Sequence, residues 1–433
     1  MSAVIEPGTV KRALSAHAAI GLIAGALLYI VSLTGTVAVF YQELQRVEQP
    51  NAPEMNSISP EAVQKGVEAV LASEAGQPTT THFYVHLPVK EVPRATATTD
   101  TQAVHLNSDG SLAGPEEIAW SDYLVNLHYT LNLPSLIGIT IVGILGVMML
   151  ALALSGVVAH PRIFRDAFRL RARDNGGVGL TDWHNRMSVW TLPFSVAIAL
   201  TGALIGLATV TAFAIAANDY GGDVEAVYAP IFGEEGEPDP APAPVPNVAA
   251  ALTHMAANYP EVKPTYAILH DPLTKGQHVQ IVGLHERRLI FGEYYAFDAA
   301  GNFQHTAGLS DGDLGQQAAA STYRLHFGDF GGIWVKIAYF IFGIARTAIC
   351  ATGTYIWLGK RRRRGIDEPR LKGAWNGVIV GTPVALILTF AARIAFGNTF
   401  PFTAAFWVVQ IACIGLGMWI ATRRHRDVVA AAV

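Results

Sequence analysis

Six stretches of the chain are almost continuously apolar: Ala18 to Phe40, Leu136 to Val158, Leu192 to Phe213, Trp334 to Leu358, Trp375 to Ala395 and Phe402 to Ala421. Each reaches the roughly 20 residues a helix needs to cross a hydrocarbon core of about 30 Å. The first lacks a small-residue cleavage site and is too long for a removed signal peptide, so it reads as an uncleaved anchor. Two long mixed segments, about 41–134 and 214–332, separate these runs, and in each a helical period gives way to alternation. In the first, an amphipathic helix over Pro60 to Glu74 precedes strands near His82 to Val89 and Ala103 to Leu112, with the turn Asn107-Ser108-Asp109-Gly110 suited to a hairpin. In the second, a helix over Val248 to Tyr259 precedes strands near Gln277 to Leu284 and Glu293 to Phe303, turning at Asp298-Ala299-Ala300-Gly301-Asn302. The acidic, proline-rich linker Glu234 to Pro246 is expected to be extended. The fold class expected is an integral membrane all-α bundle of about six helices with two small α+β domains outside the membrane.

Charge orients this arrangement. Of the 433 residues 51% are hydrophobic and only 15% charged, against about 25% in soluble domains. Lys11 and Arg12 precede the first span. Arg162, Arg165, Arg169, Arg171 and Arg173 occupy the loop at 161–181, Lys360 to Arg364 follow the fourth span, and Arg423, Arg424 and Arg426 follow the sixth. If the helices alternate, all of these lie on one side, so both termini are expected in the cytoplasm. The protein is then a multi-pass protein of a bacterial inner membrane with two acidic periplasmic domains, and the net charge of −4 conceals that polarity. Cys350 and Cys413 both fall inside spans and read as small buried hydrophobes.

The spans repeat. His17 lies 17 residues before Thr34-Gly35, and His184 lies 17 before Thr201-Gly202. Asn126-Leu127-His128-Tyr129 precedes a span that reaches Ser155-Gly156, and Arg324-Leu325-His326-Phe327 precedes one that reaches Thr352-Gly353; the separations, 156 − 128 = 28 and 353 − 326 = 27, differ by one. The unit helix, extracytoplasmic domain, helix is therefore used twice, with two spans left over. Small-residue pairs let helices approach closely in lipid, so part of this repeat is packing.

A single histidine at a membrane-helix end is ordinarily an interfacial polar residue, but four at matching positions of a duplicated unit invite another reading. Under pseudo-twofold symmetry His17 and His184 face each other near the cytoplasmic side, and His128 and His326 near the other. Neutral imidazole ligates iron well, facing helices of a bundle build cofactor sites, and two imidazoles give six-coordinate haem suited to electron transfer. Zinc or copper would want a further ligand nearby, and the C-x-x-C-H run of covalently attached haem is absent. Haem b is the cofactor expected. His160, at the cytoplasmic end of the second span, is a fifth candidate, as a ligand in place of His17, as a propionate contact or as an interfacial residue. Arg346, deep in the fourth span, is costly there unless functional; a propionate, a quinone oxygen or a position within the bundle would each account for it. Arg162, Arg165 and Arg169 are candidates to neutralise propionates, or form a plain positive-inside loop. His82, His86, His105, His254, His270, His278, His285 and His305 form no metal-ligand spacing, and His425 is a tail residue.

Asp182-Trp183-His184 with Thr201-Gly202, Leu325-His326-Phe327-Gly328 with Gly331-Gly332, and Thr352-Gly353-Thr354-Tyr355-Ile356-Trp357 before the basic run together resemble the PepSY-associated transmembrane family. That family includes the inner-membrane ferric-siderophore reductases of Gram-negative bacteria. The inserts resemble PepSY domains, most clearly at Val104-His105-Leu106-Asn107-Ser108-Asp109-Gly110, and the resemblance spans about residues 11–365. It implies two haems near opposite membrane faces, with His17, His184, His128 and His326 at the ligand positions. The chain departs from the family in having Ala16-His17-Ala18 where Trp-His is common, and in lacking a tryptophan after Ser155-Gly156.

The function expected is a haem b oxidoreductase that passes electrons to a periplasmic acceptor, by resemblance a ferric siderophore whose Fe(III) is reduced to Fe(II) and released. The chemistry would belong to the cofactor. No glycine-rich phosphate loop is found in the sequence, so electrons are expected from quinol or a cytoplasmic reductase. Two alternatives stand: a PepSY-type module that binds proteins or restrains peptidases without redox activity, and a quinol-oxidising cytochrome b serving another acceptor.

Overall fold

A computed structural model describes residues 6–430, apart from residues 79, 166–167, 169–177, 233–237, 285–288, 290–291 and 308–311. The elements run α1 (Pro7–Ala38), α2 (Tyr41–Glu48), α3 (Pro60–Ser73), β1 (His82–His86), β2 (Ala95–Thr98), β3 (Ala103–Leu106), β4 (Leu112–Pro115), α4 (Ala119–Thr130), α5 (Ser135–Ala159), α6 (Val178–Trp190), α7 (Leu192–Asp219), α8 (Glu225–Phe232) and α9 (Val248–Asn258). They continue with β5 (Lys263–His270), β6 (His278–Leu284), β7 (Glu293–Phe297), β8 (Phe303–Thr306), α10 (Leu314–Phe327), α11 (Gly332–Arg363), α12 (Pro369–Phe396) and α13 (Phe402–Ala430). Among the described residues six helices, α1, α5, α7, α11, α12 and α13, are long and apolar enough to cross a membrane. They carry the six runs read from the sequence, with α1 ending at Ala38, two residues before the end of the first run, and the chain is a multi-pass membrane protein. Contacts divide it into a helical unit (residues 1–41, 119–208 and 331–433) and a sheet unit (42–118 and 209–330).

In the helical unit small residues set the crossings. A Cβ on Gly143 of α5 would lie 2.8 Å from the Gly206 carbonyl carbon of α7, and one on Gly377 of α12 would lie 2.4 Å from Ile414 Cα of α13. Without a hydrophobic force between helices in lipid, such backbone approach supplies the dispersion contacts that hold them. Hydrogen bonds add to it: Tyr29 of α1 donates to the Ile379 carbonyl at 3.0 Å, and Trp375 Nε1 to the Ala351 carbonyl at 3.1 Å. The last two spans, which have no counterpart in the repeat, brace α4. Trp120 Nε1 donates to Thr389 Oγ1 at 3.1 Å, the Ala119 amide donates to Asn398 Oδ1 at 2.9 Å, and the Tyr123 ring lies against Phe402 and Phe406.

The two inserts, expected as two separate small domains, build one sheet. Its eight antiparallel strands run β4-β3-β2-β1-β5-β6-β7-β8, and β1 pairs with β5 at His82 to His270, Tyr84 to Ile268 and His86 to Tyr266. Either four-stranded half alone would expose β1 or β5 as an open edge; pairing the two edges satisfies both. Alternate residues such as Phe83, Val85, Leu269, Ile281 and Phe297 face α3 and α9 in one buried core. The two halves use the same turn device. Gly110 and Gly301, at φ +81° and +84°, are in the left-handed region. A Cβ on either would strike the first turn of α3 at the Ala62 carbonyl or of α9 at Ala250. β1 stops at His86 and not Val89, since Pro88 cannot donate to a ladder. Strands β2 and β5 went unread: β2 is four small residues, Ala-Thr-Ala-Thr, and β5 begins beside a proline with no turn glycine ahead of it.

Candidate functional site

Three of the four repeated histidines occupy the same kind of cradle. His128, on α4, lies over Gly35 of α1, and its Nδ1 is 2.9 Å from the Val31 carbonyl and 3.5 Å from Thr34 Oγ1. His17 of α1 lies by Gly156 of α5, its Nδ1 3.1 Å from both the Leu152 carbonyl and Ser155 Oγ. His184, on α6, lies by Gly353 of α11, its Nδ1 2.9 Å from Thr352 Oγ1 with the Ile349 carbonyl beside it. Each cradle is thus a hydroxyl-glycine pair plus the carbonyl three residues earlier (34 − 31, 155 − 152 and 352 − 349 are all 3). The hydroxyl and carbonyl hold the ring nitrogen, and at Gly35 the missing Cβ also leaves room for the ring, since one there would lie 2.4 Å from His128 Cε1. Three of these pairs, Thr34-Gly35, Ser155-Gly156 and Thr352-Gly353, read from the sequence partly as packing, are histidine seats.

The cradles fix the tautomer. A carbonyl oxygen only accepts, so Nδ1 of His17 and of His128 carries the proton and donates. Thr352 Oγ1 donates to the Ala348 carbonyl at 2.8 Å and so accepts from His184 Nδ1. Nε2 is left unprotonated in each, as a metal ligand requires, and an Nδ1–H held by a carbonyl is the usual support of a ligating histidine.

The structure brings His17 and His184 together, with ring centroids 6.4 Å apart and planes at 89°. Two imidazoles bound through one nitrogen each to opposite sides of one metal, at bonds of about 2.0–2.1 Å, have centroids roughly 6.3 Å apart. On α1, Thr34 of the His128 cradle is 34 − 17 = 17 residues from His17, about 25 Å along the axis, most of the thickness of a hydrocarbon core. His326 lies in the last turn of α10, within the sheet unit.

The turns after His128 and His326 account for the one-residue difference between the repeats. The first reverses through Leu131 and Asn132, both at φ near +55°, and α5 begins seven residues after His128 (135 − 128). The second reverses at Gly328, at φ +70°, and α11 begins six residues after His326 (332 − 326). Left-handed backbone is costly at a leucine; Leu131 is held there by a side chain only 3% exposed.

Other sequence candidates fall elsewhere. His160 caps α5 with its side chain exposed, apart from the His17–His184 contact. Arg346 is 6% exposed, and its Nη1 donates to the Ser195 carbonyl at 3.1 Å while Nη2 has no partner. Arg162 and Arg165 follow α5; Arg169, Arg171, Arg173 and His285 lie outside the described residues.

The sequence reading missed one assembly. Strand register puts His82, His86, His105, His270, His278 and His305 on the sheet face opposite the α3 and α9 core. His82, His270 and His278 form a row across three strands, with centroids 5.0 and 4.3 Å apart. Burial, and then the neighbouring imidazoles, push His270 down to about 3; burial, and then the Arg94 charge, push His105 down to about 4. No spacing within one strand signals this row, because its members come from both repeats. Among the described residues no three His, Cys, Asp or Glu side chains form a metal-holding group.

Six spans, a duplicated unit and histidines seated on helix glycines define a membrane protein that holds imidazoles inside a helical bundle. The family model for the PepSY-associated TM region matches residues 14–360, and the chain belongs to that family. An uncharacterized protein of Pseudomonas aeruginosa is 28% identical over 275 residues; the match covers 58% of this chain and 66% of that protein, short of two thirds of its length.

Proposed function

We propose that the protein is a haem b oxidoreductase of the bacterial inner membrane that passes electrons to a periplasmic acceptor, with the Fe(III) of a ferric siderophore as that acceptor. The observation that carries this reading is the His17–His184 pair, whose spacing and Nδ1 support suit two imidazoles that would hold one haem iron. Bound haem would supply one-electron chemistry. The chain's own residues fix the imidazoles, keep Nε2 free of protons and set two levels about 25 Å apart along α1. The sequence repeat makes His326 the counterpart of His128, and these two histidines are the ones proposed for a second haem. With the basic loops in the cytoplasm, the sheet unit is periplasmic and offers the acceptor surface. Electrons come from quinol or a cytoplasmic reductase. A membrane anchor for a PepSY-type protein-binding module has no use for three matching cradles.

The test is a dithionite-reduced minus oxidised absorption spectrum of the purified protein, with haem quantified per chain. A low-spin b-type spectrum with two haems supports the proposal, and ferric chelates added to the reduced protein should reoxidise it. A protein that inserts and folds without haem leaves the non-redox PepSY module as the better account.

A further inference from the structure

Arg346 is a cation inside a membrane-spanning helix, since arginine does not deprotonate in proteins. It is 6% exposed, its one hydrogen bond is to the uncharged Ser195 carbonyl, and its Nη2 is buried without a partner. Among the described residues no carboxylate pairs with it, so the usual partner of a buried charge is missing. Its level in the bundle follows from the α1–α11 crossing, where Thr36 meets Gly343 and Ser32 meets Cys350. Thr352, which holds His184, is 352 − 346 = 6 residues away, about 9 Å along α11. Gly343, beside the Gly35 seat of His128, is 346 − 343 = 3 residues away on the other side, about 4.5 Å. Arg346 therefore stands between the levels of the two histidine seats.

We infer that Arg346 is an electrostatic positioning residue whose counter-charge is the transferred electron. The inference rests on the haem reading above. Each passage brings in one electron, either from a reduced protein or as one of the two that a quinol gives up as it becomes quinone and releases two protons. That electron passes to an Fe(III) chelate that becomes Fe(II). Within the bundle the local charge changes by one unit with no bond of the protein made or broken. A fixed unmatched cation in a low-dielectric interior favours the state carrying that electron, and being already in place it needs no reorganisation when the electron arrives.

The experiment is a spectroelectrochemical titration of the purified full chain, wild type beside Arg346→Gln and Arg346→Lys. With haem content and low-spin bands retained, Arg346→Gln is expected to shift the midpoint potential of at least one haem downward, and Arg346→Lys to stay near wild type. Should the glutamine variant fail to fold, the lysine variant decides: a potential displaced despite retained charge overturns the inference. An unshifted glutamine variant also overturns it, as does loss of haem from both variants, which would make Arg346 a holder of an anionic cofactor group. Haem-free wild-type protein would instead remove the proposed function itself.

Discussion

Gly35 offers a sharp test of the histidine cradles. In Gly35→Ala the added Cβ would lie 2.4 Å from His128 Cε1 and 2.8 Å from Nδ1, whereas carbon atoms rest at about 3.5–4.0 Å. The ring must retreat by about 1 Å, enough to stretch the 2.9 Å bond to the Val31 carbonyl beyond hydrogen-bonding range. Helix propensity alone favours the alanine by about 1 kcal/mol, while overpacking costs about 1–3 kcal/mol. Loss of the support under a ligating histidine weakens metal affinity about 10- to 100-fold. Two built-in controls exist. At Gly156 and Gly353 the added Cβ would sit 3.4 Å from His17 Cε1 and 3.7 Å from His184 Cε1, both ordinary contact. Haem per chain, measured by difference spectrum, is expected to fall toward one in Gly35→Ala and to stay at two in Gly156→Ala and Gly353→Ala. A fully loaded Gly35→Ala with an unaltered spectrum would refute the cradle argument.

Three further outcomes follow from the same geometry. His17→Ala and His184→Ala should each remove the same haem, and His160→Ala should remove none; unequal losses from the first two would break the pair. The sheet unit should weaken in mild acid, because His105 and His270 titrate lower folded than unfolded. Their contribution is whole above the unfolded value near 6.5 and drains as pH falls toward 4, about 2 kcal/mol for each at pH 5. Hydrogen exchange across β1 to β8 at pH 7 and pH 5 checks this, and unchanged protection would count against buried neutral histidines. Gly377→Val should force α12 from α13 and lower thermal stability by a few kcal/mol, with haem content at the His17–His184 pair preserved.

The spans were legible because lipid imposes a long apolar run that nothing else in the chain imitates. The duplicated histidines were legible because spacing survives in sequence. What spacing could not show was the partner of each histidine: Thr34-Gly35 seats His128, not His17 on its own helix, and Ser155-Gly156 seats His17. Hydroxyl-glycine pairs suit both helix packing and ring seating, and only the three-dimensional crossing distinguishes them. The single sheet was hidden for a related reason, since the residues β1 and β5 bring together are far apart in sequence (270 − 82 = 188 at one end of the seam, 266 − 86 = 180 at the other) and pair only across the duplication. The role of α12 and α13 rested on hydrogen bonds to α4 that no pattern announces.

The strand order of that sheet reads the same from either end when each half is exchanged for the other: β4, β3, β2, β1 inward from one edge and β8, β7, β6, β5 inward from the other. The seam between β1 and β5 is therefore what two copies of a half-length polypeptide would form by meeting edge to edge about a twofold axis. Covalent fusion makes that meeting independent of protein concentration and frees the halves to diverge. Asymmetries such as Leu131-Asn132 against Gly328 show that divergence. A chain severed between α5 and α6 should still assemble from its two co-expressed pieces, each supplying the edge the other lacks.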